Sequence, residues 1–197
     1  MMAAYALRLP GFGPLFFAPD LHPMHRRWLI TFASTFLLWS VVVQLNHYLA
    51  PLGAYLFVDG LLVAFAALRL SLRNGLPATL LMGLSIDAAE PVPFGTHLLL
   101  FAVMHIIVFR LRTRIPREET VIGVVVALLA NLALIFGLSI VTLGNHPAAG
   151  AAWMRIFADL GWSQLFIVAI APWFFALQER ALELGRVDLA EESRRPF

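Results

Sequence analysis

The sequence predicts an all-α membrane protein with six transmembrane helices, and three observations carry this prediction. Sixty per cent of the 197 residues are hydrophobic and only 13% are charged, whereas soluble domains are nearer half apolar and a quarter charged. The apolar residues gather in six stretches separated by short polar breaks. All 14 basic residues are arginine, and all except Arg155 fall on one side of the resulting topology.

Each apolar stretch is interpreted as one crossing, because a hydrocarbon core of about 30 Å needs roughly 20 residues at 1.5 Å per residue. The third stretch would reach only about 21 Å, so it needs shielding by its neighbours. Pro51 and Gly53 separate the first two stretches. The predicted spans are residues 28–48, 54–70, 75–88, 96–111, 121–143 and 161–177.

The spans divide the chain into three parts. Residues 1–27 form a proline-rich arm, residues 28–178 the transmembrane region and residues 179–197 a polar tail into which helix six extends. In the loop before helix six, a turn at 144–147 precedes a predicted short interfacial helix, in which Arg155 and Asp159 are spaced i,i+4.

The arginine distribution predicts the orientation. Positive charge stays cytoplasmic, so both termini are expected in the cytoplasm, with the chain in an inner membrane. If the third stretch did not cross, the arginine clusters after helices two and four would fall on opposite sides. The arginines form short runs between apolar stretches, which favours a topological role over binding of nucleic acid.

Polar residues within the spans are candidates for structural or interaction roles, because they are costly in a bilayer. Asp59 lies about six residues inside the predicted second helix, and both a structural and a functional role stay open for it. Thr79, Gly83 and Asp87 share one face of helix three, as small residues do where helices pack closely. Asn131 lies on a similar face of helix five.

The sequence predicts no catalytic residue, metal site or cofactor. It has no cysteine, and its six histidines lack metal-ligand spacing. Ser85 lacks the second glycine of a G-x-S-x-G nucleophile turn. His105, in the middle of helix four, is interpreted as a hydrogen-bond partner between helices.

Two short segments resemble a known family. Residues 83–87 read Gly-Leu-Ser-Ile-Asp, and residues 93–97 read Pro-Phe-Gly-Thr-His before an apolar helix that ends in arginines. Over residues 55–112 the chain resembles MreD, the rod-shape-determining membrane proteins of bacteria. The resemblance marks Gly83, Asp87, Pro93, Gly95 and His97.

This resemblance implies a non-enzymatic subunit of the cell-elongation machinery, which acts by protein–protein interaction in peptidoglycan synthesis. Its implied partners are MreC, RodA with its transpeptidase partner, and MreB, besides membrane lipid. Members of the family tend to carry an aspartate near the start of helix two, which Asp59 could match. The implied fold is similar to that of the substrate-binding subunits of energy-coupling-factor transporters.

That similarity supplies an alternative, a small-molecule (vitamin) binding subunit of such a transporter. A vitamin binder needs polar and aromatic groups that converge on an outer cavity, and a first helix with a face of small residues. The first helix here carries bulky side chains such as Phe32, Phe36 and Trp39, which favours the interaction subunit.

Asp87 is expected at the outer rim of helix three. There it accepts hydrogen bonds from backbone N–H groups of the following loop and sets the path of that loop. We expect Gly83→Leu, which separates the packed helices, to harm assembly more than Asp87→Asn.

Overall fold

The structure is a computed structural model that describes residues 23–114, 120–143 and 149–185. The predicted arm up to residue 22, the predicted turn at 144–147 and the tail beyond residue 185 lie outside these ranges. The described residues form six α-helices. These are α1 (Pro23–Leu49), α2 (Asp59–Arg69), α3 (Leu72–Ala89), α4 (Thr96–Leu111), α5 (Thr120–Leu143) and α6 (Ala149–Leu184).

Four helices are long and apolar enough to cross a membrane, among the residues that the structure describes. The qualifying segments are Arg27–Leu52, Thr96–Arg114, Thr120–Thr142 and Ala152–Leu184. They correspond to α1, α4, α5 and α6. The chain is therefore an all-α membrane protein, as its composition predicts.

The short helix α2 forms the centre of the bundle. Residues 59–68 are all buried, and α2 contacts each of the other five helices. A helix that is apolar on every side is stable only when it is covered on every side. The other helices supply that cover, with Phe65 against Phe175 of α6 at a ring-centroid distance of 5.8 Å.

The prediction of a helix over residues 54–70 is wrong in its first part. Residues 54–58 are not helical, and α2 begins only at Asp59. Asp59 is therefore the first residue of its helix instead of lying inside it. The apolar composition of this segment is equally compatible with a buried extended strand, and neighbouring side chains satisfy its backbone, as described below.

Three other boundaries also differ from the prediction. Helix α1 begins at Pro23 instead of residue 28, because proline suits the first turn of a helix. Helix α3 has 18 residues, so it spans about 27 Å. Helix α6 runs without a break through residues 149–160, so the predicted interfacial helix is not a separate element.

The helices place opposite kinds of side chain at the two ends of the bundle. At one end, here called the arginine end, Arg69 pairs with Glu179 at 2.9 Å. There Arg112 also donates hydrogen bonds to the carbonyl oxygens of Ala67 (3.3 Å) and Leu70, where α2 terminates. The opposite end, here called the acidic end, carries Asp87, Glu90 and Asp159, as described next.

Candidate functional site

Helices α3 and α4 pack along the predicted stripe of small residues. A Cβ atom on Gly83 would lie 2.9 Å from Cα of Leu98, so the two backbones are already in contact. One turn earlier, Thr79 Oγ1 lies 2.9 Å from Nδ1 of His105. The same hydroxyl donates to the carbonyl of Gly75, so it accepts from the ring N–H. His105 thus joins two helices by a hydrogen bond, as expected.

Asp87 caps the N-terminus of α4 from the end of α3. The first turn of a helix leaves backbone N–H groups without partners. Gly95, at φ +94°, precedes α4 and has no side chain that could cap it. Asp87 Oδ2 accepts from the N–H groups of Gly95 (3.0 Å) and Leu98 (3.1 Å). Asp87 Oδ1 accepts from the N–H of His97 at 2.8 Å.

The imidazole of His97 provides the fourth hydrogen bond to Asp87. Its Nδ1 lies 2.9 Å from Asp87 Oδ1, so the ring N–H at Nδ1 donates to the carboxylate and fixes the ring. The other nitrogen, Nε2, lies 3.7 Å from Asp59 Oδ2 and 3.7 Å from Glu90 Oε2. These distances exceed a hydrogen bond. Among the described residues, neither His97 Nε2 nor Asp59 Oδ2 has a hydrogen-bond partner, although both are buried.

The N-terminus of α2 holds Asp59 in this cluster. A carboxylate at the first residue of a helix is stabilised by the helix dipole. The next residue, Gly60, donates its N–H to Oδ1 of Asn131 on α5 at 3.1 Å. A Cβ atom on Gly60 would lie 2.1 Å from the backbone nitrogen of Asn131, so only glycine permits this close approach of α2 to α5. Asn131 therefore caps α2 much as Asp87 caps α4.

Side chains of α1 and α6 satisfy the extended segment 54–58. Asn46 of α1 accepts from the N–H of Leu56 at 2.8 Å and donates to its carbonyl at 2.9 Å. Ser163 of α6 accepts from the N–H of Phe57 at 2.9 Å, and Asp159 accepts from that of Tyr55 at 3.0 Å. Non-helical backbone is tolerated at membrane depth only when protein groups supply such partners.

A pocket of about 360 Å³ opens beside the cluster, between α1, α3 and the extended segment. We call it the α1–α3 pocket. Its lining residues are Trp39, Val43, Asn46, His47, Ala50, Tyr55, Ala89 and Glu90.

Glu90 joins the α1–α3 pocket to the buried cluster. Its carboxylate faces His97, and its Oε1 lies 3.5 Å from the Tyr55 hydroxyl. Burial raises the pKa of Glu90 above its usual value. A positive group in the pocket would therefore stabilise its ionised form.

A second cavity, of about 330 Å³, lies at the acidic end between α5, α6 and the extended segment. Its walls are mainly apolar side chains such as Ile135, Leu138 and Ile156. Arg155 and Asp159 lie at its edge, 3.7 Å apart.

The structure brings most of the sequence-predicted residues together. Asp59, Asp87, Gly95 and His97 meet in the buried cluster. Pro93 lies one turn before α4, where its carbonyl accepts from the N–H and the hydroxyl of Thr96, at 3.1 and 2.6 Å. Thr79 and Gly83 line the α3–α4 contact, and Asn131 lies on the far side of Gly60, where it caps α2.

Sequence reasoning missed Asn46, Glu90 and Ser163. Asn46 and Ser163 lie near the ends of apolar stretches, where polar residues are ordinary. Glu90 lies in a loop whose sequence is typical of a solvent-exposed segment. For Asn46, the signal that could have found it is its residue type, because an asparagine that becomes buried requires hydrogen-bond partners.

No family model, curated protein or solved structure matches the chain. Its class therefore follows from the fold and site alone. It is a helical membrane protein in which side chains from one helix cap the ends of others, around a buried carboxylate–imidazole cluster. Among the described residues, one imidazole nitrogen and one carboxyl oxygen of the cluster are buried without a hydrogen-bond partner.

Proposed function

We propose that this chain is a non-enzymatic membrane subunit of the bacterial cell-elongation machinery, which resembles MreD and pairs with MreC. One observation carries the proposal. Asp87, Gly95 and His97, which carry the resemblance, form one hydrogen-bonded junction between α3 and α4, and Gly83, which also carries it, packs against the α4 backbone. Asp87 and His97 are buried and fix how the two helices meet, a role that suits a protein that acts by presenting an interaction surface.

The proposed topology has six crossings, with the arginine end and both termini in the cytoplasm. The 11 residues of α2 rise about 16 Å, and the non-helical residues 54–58 carry the chain over the rest of this crossing. Helix α3 reaches from the arginine end to the acidic end. By the positive-inside rule the arginine end faces the cytoplasm, with the chain in the inner membrane.

Reporter fusions test this topology. A reporter active only in the periplasm should be active when fused at Ala89, at the acidic end. It should be inactive when fused at Asn74 or at the C-terminus. Activity at Asn74 would contradict the six-crossing arrangement.

The exposed face of α1 supports an interaction subunit over a vitamin-binding subunit. Leu37 and Val41 are 61% and 56% exposed, so this face presents bulky side chains where a coupling subunit would need small ones. Several polar groups at the acidic end are also occupied by backbone partners. Asp87 and Asn46 both bond to the protein itself.

Depletion in a rod-shaped host separates the two functions. Loss of an elongation subunit should give rounded, swollen cells, with vitamin uptake unchanged. Expression of the wild type or of Gly161→Ala should restore the rods, because the Gly161 position has open space. Gly83→Leu should fail to restore them. Unchanged shape with loss of uptake of one vitamin would support the transporter alternative.

A further inference from the structure

The α1–α3 pocket lies beside more carboxyl groups than imidazole groups. Asp87 accepts four hydrogen bonds, and Asp59 and Glu90 both face the imidazole of His97. The imidazole of His47 lines the pocket on the α1 side. Among the described residues no arginine lines the pocket, and the carboxyl group of Glu90 in its wall can pair with a positively charged guest.

The lining also offers the contacts that an ammonium group makes. Glu90 is partly accessible, with 26% of its side chain exposed, and it can accept charge-assisted hydrogen bonds. Trp39 and Tyr55 contribute aromatic rings to the lining, and aromatic rings attract cations. Behind Glu90, His97 Nε2 and Asp59 Oδ2 are buried and have no hydrogen-bond partner among the described residues.

The size and remaining walls of the pocket fit a small headgroup. Its volume of about 360 Å³ lies near the lower limit of ligand pockets, which is about 300 Å³. Val43, Ala50 and Ala89 line the rest with apolar groups, suited to the methylenes next to an amine. The pocket lies where α1 ends and the loop after α3 begins.

We infer that the α1–α3 pocket binds a primary ammonium group, which pairs with Glu90 and is supplied by the headgroup of phosphatidylethanolamine. This inference is independent of the proposed role in cell elongation. A free small amine shares the chemistry, and the experiment below separates the two sources.

The test measures lipid retention by native mass spectrometry of the purified full chain. Phosphatidylethanolamine should be retained at least about tenfold more strongly than phosphatidylglycerol, as expected for a charge-assisted pair. Glu90→Gln should abolish this preference. Glu183→Gln is the matched control, because Glu183 is exposed on α6, and it should leave the preference unchanged.

A second variant guards against misfolding of Glu90→Gln. Ala89→Leu fills the pocket from an exposed position and should also remove the preference. Displacement of bound lipid by millimolar ethylamine would show that the ammonium group suffices, so that soluble amines bind too. Resistance to ethylamine would identify the lipid as the source. Equal retention of both lipids, or an unchanged preference in Glu90→Gln, would overturn the inference.

Discussion

Replacing Asp87 with asparagine tests whether this carboxylate holds α3 and α4 together. Each of its oxygens accepts two hydrogen bonds. Oδ2 accepts from the N–H groups of Gly95 and Leu98, and Oδ1 accepts from the N–H and the ring of His97. An amide keeps one accepting oxygen and replaces the other by an NH₂ group. In the better orientation the NH₂ replaces Oδ1 and donates to the His97 ring in its other tautomer. The N–H of His97 then has no acceptor.

The cost follows from this geometry. One buried N–H without a partner costs roughly 1–3 kcal/mol. The two hydrogen bonds that remain lose their charge assistance, which removes roughly another 1 kcal/mol each. The side chain of Asp87 is fully buried, so water does not replace these bonds. We therefore expect Asp87→Asn to lower the free energy of unfolding by roughly 3–5 kcal/mol.

The assay is reversible unfolding of the purified protein in mixed micelles with a rising fraction of denaturing detergent. Glu183→Gln is the control, and it should change the free energy by less than about 0.5 kcal/mol, because Glu183 is exposed. A shift below 1 kcal/mol for Asp87→Asn would refute the capping argument.

Two pairs of substitutions, each with one test and one control, probe the central helix and the extended segment in the same unfolding assay. Gly60→Ala should destabilise by about 3 kcal/mol or more, because its Cβ atom would overlap the α5 backbone. Gly161→Ala has open space and should stabilise by roughly 0.5–1 kcal/mol. Ser163→Ala should cost roughly 1–3 kcal/mol, because it removes the acceptor for segment 54–58. Ser85→Ala should be nearly neutral, because the Ser85 hydroxyl bonds only within its own helix. Equal effects within either pair would contradict the packing and hydrogen bonds described here.

The sequence predicts helices whose stability comes from their own length and hydropathy. The predicted helices at 96–111 and 121–143 agree with α4 and α5 to within one residue. These stretches are predominantly apolar and contain no proline, so an uninterrupted helix is the stable form in lipid.

The sequence does not predict features that depend on distant partners. The extended form of 54–58 requires Asn46 and Ser163, which lie 10 and 106 residues from their bonding partners in the chain. Nothing local in the segment encodes that supply. Conversely, the loop after Asp87 could be predicted to bond to it, because the carboxylate and its donors are close in sequence.

The expected effects of substitution at Gly83 and Asp87 also depend on contacts that the sequence alone does not give. From the sequence, Gly83→Leu is expected to be more harmful than Asp87→Asn. The structure gives Asp87 four donors and gives Gly83 a backbone contact of 2.9 Å. Both substitutions are therefore expected to reduce the amount of assembled protein.

Affinity purification of the tagged chain from the membranes of its own host, with identification of the proteins that co-purify, tests the proposed function most directly. The account predicts that MreC is recovered with the wild type and with Gly161→Ala. It also predicts that MreC is lost with Gly83→Leu. Recovery of the coupling subunit of a vitamin transporter in place of MreC would contradict the account.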